Sequence, residues 1–457
     1  MLPEVWCALE VTPENYRLRR DRTTDCPRNA NCVNGPRMID AIIVGAGAAG
    51  LMAARELRHA GKAVIILEAG KRCGGRVLTL PDTGAGVPVE LGAEFIHGDA
   101  PETTRLLDEA RLATVPVRGE HYRSDRGELS PQGPVWKRMR KVFRHLNPDR
   151  KHDRSFQDFL DEKPGGRRLK RERELARGFV QGYNGADASL ISEKSIAQQG
   201  DPTEGAADAR RVVNGYTALI DYMRRDLGDV IRFDARVRSI KWDEAQVCAT
   251  DQAGNEYTAR AIVVAVPLPI LQDESIVFDP EIPALRKAAG QLAMGQVIRV
   301  NVVVKERFWD KKIDRLSFVH TPARPFNVWW TQSPLQAALI TGWAGGPPAV
   351  ELSHGGNVED AAIAELARAF GSRRDRIENL IDSIHTHDWF ADPNIGGAYS
   401  YVGIGGTYAP RVLARPINDT VYVAGEATDS ESSGTVEGAI ASGKRAARKI
   451  IRAAASA

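Results

Sequence analysis

The run Ala41-Ile-Ile-Val44 shows no polar alternation, the pattern of a strand buried on both faces of a parallel sheet. A glycine-rich turn follows. Leu51, Ala54 and Leu57 then recur at helical spacing and predict a helix over 49–60. Ala63-Val-Ile-Ile-Leu67 repeats the buried-strand pattern, so the three pieces make a strand–helix–strand unit of about thirty residues. From 101 to 201 the chain reads as helical and strongly polar, with Pro164-Gly-Gly166 as a loop inside it. Short β-rich runs predict strands at 230–233, 237–242, 247–250 and 261–266, with a hairpin turn at Gly254-Asn255. Further strands are predicted at 297–304, 326–331 and 338–343, where β-branched and aromatic residues gather. An amphipathic helix is predicted over 359–370, a buried strand over 421–424 and a long helix opening near Val436; no internal repeat is evident.

The turn after the first strand reads Gly45-Ala-Gly47-Ala-Ala-Gly50. In this setting each glycine has a task. Gly45 permits the tight turn, Gly47 lets the backbone approach a pyrophosphate, and Gly50 lets the helix pack closely on the strand. The helix N-terminus then faces the phosphate charge. Glu68, at the end of the second strand, suits both ribose hydroxyls of an adenosine and repels a 2′-phosphate. This half of the chain points to a dinucleotide. Near the other end lie Gly425-Glu426 and Gly434-Thr435-Val436-Glu437-Gly438, which open the last helix.

With 457 residues the chain exceeds one simple core and suits two domains. The net charge of +3 gives no case for nucleic acid or an acidic membrane surface as partner. No apolar run of about eighteen residues occurs, so no membrane span is expected. The basic stretch 137–177 is interleaved with acidic residues and reads as a solvated helical face. The cysteines, Cys7, Cys26, Cys32, Cys73 and Cys248, form no CxxC pair, so neither a disulfide framework nor a zinc site is expected. A reducing, cytoplasmic setting follows. His385 and His387 have the spacing of a metal pair but lack a third ligand, so they read as strand or loop residues and no metal is expected. Residues 1–37 are polar and proline-bearing, without the apolar core of a signal peptide. They read as a loosely ordered leader, or as a sign that translation begins at Met38.

A wider set of residues carries a resemblance. It comprises Gly45-x-Gly47-x-x-Gly50, Glu68, Arg72-x-Gly74-Gly75-Arg76, Glu90-Leu-Gly92-Ala93-Glu94-Phe-Ile-His97-Gly98, Gly397-Ala-Tyr399-Ser-Tyr401 and Gly425-Glu426 with Gly434-Thr435-Val436-Glu437-Gly438-Ala439. In this order the motifs resemble the flavin amine oxidases, which include monoamine oxidase, the polyamine oxidases and the lysine-specific histone demethylases. The similarity spans 38–455, and bacterial flavin monoamine oxidases look most similar. The resemblance implies an α/β chain (α+β overall). A Rossmann-like FAD-binding domain would be built from 38–100, 205–270 and 385–457. An inserted mixed-sheet and helical substrate domain would use 101–204 and 271–384. A histone-demethylase role is not expected, because no tower-like insertion or nuclear basic signal appears.

Carried over residue by residue, the resemblance implies that Gly45, Gly47, Ala49, Gly50, Glu68, Arg72, Gly75, Arg76, Gly92, Ala93, Glu94, Phe95, Val237, Gly425, Glu426, Thr435 and Val436 hold FAD. Ala398 stands where monoamine oxidase carries the cysteine that attaches its flavin, so the FAD is expected to be non-covalent. The implied reaction is hydride transfer from the carbon next to the amine nitrogen of a small-molecule primary or secondary amine to flavin N5. It gives an imine, then an aldehyde, with O2 or another electron acceptor restoring the flavin and O2 yielding hydrogen peroxide. Tyr399 matches the family's aromatic residue beside the flavin. Its partner position is Thr435, as in the histone demethylases, which leaves a one-sided cage. His97 falls where polyamine oxidases carry a His or Glu that meets substrate nitrogen, and its ordinary pKa range suits proton exchange. Trp330, Trp343 and Trp389 are expected to line the substrate pocket.

Arg299 is the main departure. Gly295, Phe308 and Trp309 frame the position of the family's lysine, which holds a water at flavin N5 and is linked to O2 reactivity. Arginine keeps the charge but does not give up a proton. One reading is amine dehydrogenation with an altered O2 half-reaction. Another is a bidentate pair with a substrate carboxylate, which points to an L-amino-acid oxidase. An FAD dehydrogenase or desaturase of the protoporphyrinogen or carotenoid type, and a flavin-bound protein with little turnover, remain as alternatives. The oligomeric state is left open.

Overall fold

The computed structural model describes residues 39–133, 135–199, 208–311, 313–321 and 325–456. The expected leader, with Cys7, Cys26 and Cys32, lies outside the described residues. Cys73 and Cys248 are free thiols.

Two large sheets position the site. The first has the strand order Ile231–Arg232, Val64–Leu67, Ile39–Val44, Glu256–Val264, Val247–Asp251, Val237–Trp242 and Val277–Asp279, and Val421–Val423 also pairs with Glu256–Val264. Ile39–Val44 runs parallel to both of its neighbours. Its residues divide between two cores. Ala41 and Ile43 pack with Leu51, Leu57 and Ile440 on one side. Ile42 and Val44 pack with Ile240, Ile262 and Val264 on the other. Burial on both faces is why the sequence shows no alternation here. Helices Ala48–His59 and Val436–Ser456 lie together on the first of these faces.

The second sheet has the order Ile381–Thr386, Val297–Val304, Leu339–Gly345, Val328–Thr331, Leu316–His320, Glu120–Asp125 and Glu128–Pro131. Val297–Val304 is buried along its whole length. Ile298, Val300, Val302 and Val304 face a core with Trp329, Leu366 and Phe370. The alternate residues, among them Arg299 and Asn301, point the other way. The register places Arg299 opposite Trp343, Trp343 opposite Val328, Trp330 opposite Phe318, and Phe318 opposite His121. Directly paired residues share a face. One face of this sheet therefore presents Arg299, Trp343, Trp330, Phe318 and His121 in a row.

The structure corrects parts of the sequence reading. The stretch expected to be helical from 101 to 201 contains strands Thr114–Pro116, Glu120–Asp125 and Glu128–Pro131. Only Tyr122 and Leu129 of the last two pack on the apolar core, so their outward residues stay polar and hide the period. The cores also cross the expected domain borders. Leu106 and Leu107 of helix Pro101–Ala110 pack in a core of the first sheet, as do Leu285, Ala288 and Ala289 of helix Pro283–Ala289. Val277–Asp279 belongs to the first sheet, and the whole of Ile381–Thr386 belongs to the second.

Candidate active site

The turn glycines behave as their spacing requires. Gly45 has φ +99°, and a Cβ there would lie 2.7 Å from the Ala265 carbonyl oxygen. A Cβ on Gly50 would lie 1.9 Å from the Gly45 carbonyl oxygen, so helix and strand are in backbone contact. A Cβ on Gly47 would meet nothing within 4 Å. That open approach, at the N-terminus of helix Ala48–His59, fits a pyrophosphate against the backbone. Glu68 accepts from the Ala46 amide at 2.6 Å and the Gly70 amide at 2.8 Å. Each carboxylate oxygen keeps a further acceptor site for a ribose hydroxyl.

These groups open into one cavity of about 1460 Å³. Its lining includes every expected cofactor residue except Gly50, which lies behind the turn, and Arg72. Arg72 instead donates to the carbonyls of Cys73, Gly75 and Val77, bracing its own loop. Glu426, buried, ties the two ends of the chain. It accepts from Arg76 at 2.8 Å, the Ser400 hydroxyl at 2.6 Å and the Gly434 amide at 3.1 Å. Arg76 also donates to the Ala398 carbonyl. Thr435 caps the last helix, its hydroxyl accepting from the Gly438 amide at 3.0 Å. The positive end of that helix therefore meets the cavity.

Beyond Thr435 the cavity becomes an aromatic chamber. Tyr399 donates to the Tyr183 carbonyl at 2.8 Å. Tyr183 stacks on Phe179 at 5.1 Å and meets His97 edge-on at 5.7 Å. Trp343 donates to the Gly182 carbonyl and lies 5.7 Å from Trp330. Trp389 donates to the Leu91 carbonyl beneath Gly92. Burial, then the neighbouring Tyr183, raises the Tyr399 phenol well above its ordinary value, and burial alone raises Tyr183. Both remain neutral phenols.

Arg299 reaches the cavity wall, yet each of its three nitrogens already donates within the protein. Nε serves Asn301, Nη1 the Gly92 carbonyl at 3.2 Å, and Nη2 the Glu94 carboxylate. Arg211 holds the other Glu94 oxygen at 2.5 Å. The Trp330 indole donates to the same carboxylate. Burial would push the Glu94 carboxyl up, but Arg299 and then Arg211 outweigh it and hold it below the usual carboxylate range. The triad is buried and ionised, with one net positive charge.

Sequence reasoning missed Tyr183, Phe179, Arg211 and the pair His121–His320. Tyr183 and Phe179 sit on helix Lys170–Asn184, within the basic stretch read as a solvated face; Arg171 there is exposed, whereas Arg177 lines the cavity with its Nε buried. His385 lies in its strand with the Ser383 hydroxyl 2.9 Å away, and His387 pairs with Asp392. Among the described residues no His, Cys, Asp and Glu group is arranged to hold a metal, and no helix is long and apolar enough to cross a membrane.

Comparison with known proteins agrees with this geometry. Lysine-specific histone demethylase 2 of Homo sapiens is 29% identical over 448 residues, covering 90% of this chain and 53% of that protein. Polyamine oxidase 3 of Oryza sativa subsp. japonica is 27% identical over 443 residues, covering 90% and 88%. The chain spans little more than half the length of four of the demethylases it matches and 30% of a fifth. Among solved structures, wild-type putrescine oxidase bound to putrescine superposes with a TM-score of 0.78 at 23% identity, over 91% of this chain and 99% of that one. Cyclohexylamine oxidase from Brevibacterium oxydans IH-35A gives 0.78 at 21%, over 92% and 100%. These two establish the shared fold. Residues 48–451 match the family model described as flavin containing amine oxidoreductase. With both halves of the cofactor motif joined through Glu426 in one cavity, the chain belongs to the flavin-containing amine oxidoreductase family.

Proposed function

We propose that the protein is a cytoplasmic, FAD-dependent amine oxidase that takes a primary or secondary amine lacking an α-carboxylate. One observation carries this reading. A single cavity joins the dinucleotide turn to an aromatic chamber in which Arg299 is already committed to Glu94, Asn301 and Gly92. An amino acid would need a guanidinium free to pair with its carboxylate.

Gly47, Glu68, Arg76 and the helix opening at Val436 would hold the FAD, without a covalent link because Ala398 offers no thiol. When bound, the FAD would accept a hydride from the carbon next to the amine nitrogen and pass the electrons to O2, giving hydrogen peroxide, or to another acceptor. The rest falls to this chain's own side chains. Tyr399, Tyr183, Trp343 and Trp330 exclude water and favour the uncharged amine, since desolvation penalises an ammonium. The hydrogen bond from Tyr399 to the Tyr183 carbonyl fixes the ring rather than supplying a proton. His97, whose ring lies against Phe95 and Tyr183, would exchange the proton that binding strips from the ammonium. Arg299 acts as a positioning residue through Glu94. The free Cys73 and Cys248 thiols support a reducing compartment.

The test is anaerobic mixing of the yellow protein with a panel of amines. Bleaching, followed by recolouring in air, is expected. A flavin that no amine bleaches would overturn the proposal.

A further inference from the structure

We propose that the far end of the cavity is a second recognition subsite, one that binds an uncharged hydrogen-bonding group, a hydroxyl or an amide, at the distal end of a long amine. The inference rests on the reading that the aromatic chamber receives the amine itself.

The substrate sheet supplies a continuous floor. Four strand steps separate the strand of Arg299 from that of His121, roughly 19 Å at the usual inter-strand spacing. Aromatic rings cover that distance. Trp343 lies 5.7 Å from Trp330, Trp330 lies 6.2 Å from Phe318, and Phe318 stacks on His121 at 4.7 Å. The chamber is thus the head of a channel suited to an extended apolar chain.

Polarity returns at the far end. His320 Nε2 and His121 Nδ1 are 3.4 Å apart with their rings stacked. Gln132 is backbone-paired to His121, and Asn327 to Thr321, the residue after His320. Gln132 Oε1 and Asn327 Oδ1 are buried with no donor within reach among the described residues. All these side chains line the cavity. A ligand hydroxyl or amide N–H would satisfy them.

The charge argues against a second ammonium. Burial holds both imidazoles below their ordinary pKa, so the pair is neutral. On the strand of His121 the cavity-lining Arg123 and Asp125 face each other at 3.8 Å and offset one another. A second ammonium would therefore be desolvated there without a counter-charge.

The test uses flavin-loaded protein and amines whose carbon next to nitrogen carries two methyl groups and no hydrogen, so that they bind without being oxidised. Calorimetry compares a series of increasing chain length ending in methyl, hydroxyl or ammonium. The hydroxyl compound is expected to bind about tenfold more tightly than the methyl one once the chain reaches the far end, as one or two net hydrogen bonds provide. The ammonium compound is expected to bind more weakly than the hydroxyl one. Gln132→Leu and, separately, Asn327→Ala should reduce the hydroxyl gain while leaving the shortest compound's affinity unchanged. Equal affinities at every length, a preference for the ammonium, or a gain that survives both substitutions would overturn the subsite. If short amines neither bind nor bleach the flavin, the amine reading itself falls.

Discussion

The two ends of the cavity are held together by different means. At the nucleotide end, backbone meets backbone, with Gly50 against Gly45 and Glu68 receiving the amides of Ala46 and Gly70. At the chamber, side chains far apart in sequence meet, Tyr399 with Tyr183 across 216 residues and Arg299 with Glu94 across 205. The first region depends on the absence of atoms, the second on the pairing of charges. They should therefore fail differently when disturbed.

The sharpest contrast lies within the turn. Gly50→Ala drives a methyl to within 1.9 Å of a backbone oxygen that has nowhere to go. It should cost more than about 4 kcal/mol, in the range reserved for severe lesions, and yield protein without flavin. Gly47→Ala enters open space at φ −74°, so folding without cofactor should change by less than about 0.5 kcal/mol while flavin affinity falls. Urea unfolding of flavin-stripped protein, beside flavin content, separates the two. Similar stability losses would contradict the assignment.

Charge removal is the next largest effect. Glu94→Gln leaves two buried guanidiniums without their carboxylate and should cost about 3–5 kcal/mol in the same unfolding experiment. A loss below about 1 kcal/mol would mean that the triad is not buried as described. Arg299→Lys keeps the charge but gives up the planar fork. It should change the rate of flavin reoxidation in air more than the rate of reduction by amine, and stopped-flow measurement of equal effects would argue against that role.

Acid should reach the far end of the cavity before the triad. Burial, and then His121, push His320 down to about 3, whereas a histidine in the unfolded chain titrates near ~6.5. As pH falls through that unfolded value the unfolded chain takes up the proton first. Stability is thus fully present above it and declines toward pH 3. The Glu94 contribution is present above the ordinary glutamate value, about 4.3, and is lost only below it. His320→Leu should flatten the upper part of the acid profile and leave the lower part in place; an unchanged profile would show that the imidazole is not buried and neutral.

The same contrast explains what the sequence discloses. Gly45, Gly47, Gly50 and Glu68 act through local geometry, so their spacing alone identifies their work. Arg299 is visible as a departure from a family frame, but its use is set by Glu94 and Arg211, which no spacing connects to it. Tyr183 is hidden because it lies in a charge-crowded stretch that masks its apolar face, and its partner Tyr399 comes from a distant stretch. His121 lies in Glu120-His-Tyr-Arg-Ser-Asp125, where a strand with one polar face reads like a loop or a helix surface. Short helices such as Pro283–Ala289 carry their apolar residues back to a core of the first sheet, a packing that no local period in the chain announces.

The central claim is that the chamber receives an amine while Arg299 is already paired within the protein. The most direct measurement is the anaerobic rate of flavin bleaching by matched pairs, an amine and the same amine bearing an α-carboxylate. The amine should bleach the flavin while its carboxylated partner leaves it yellow. Bleaching by the amino acid at an equal or greater rate would contradict the account and return Arg299 to the substrate.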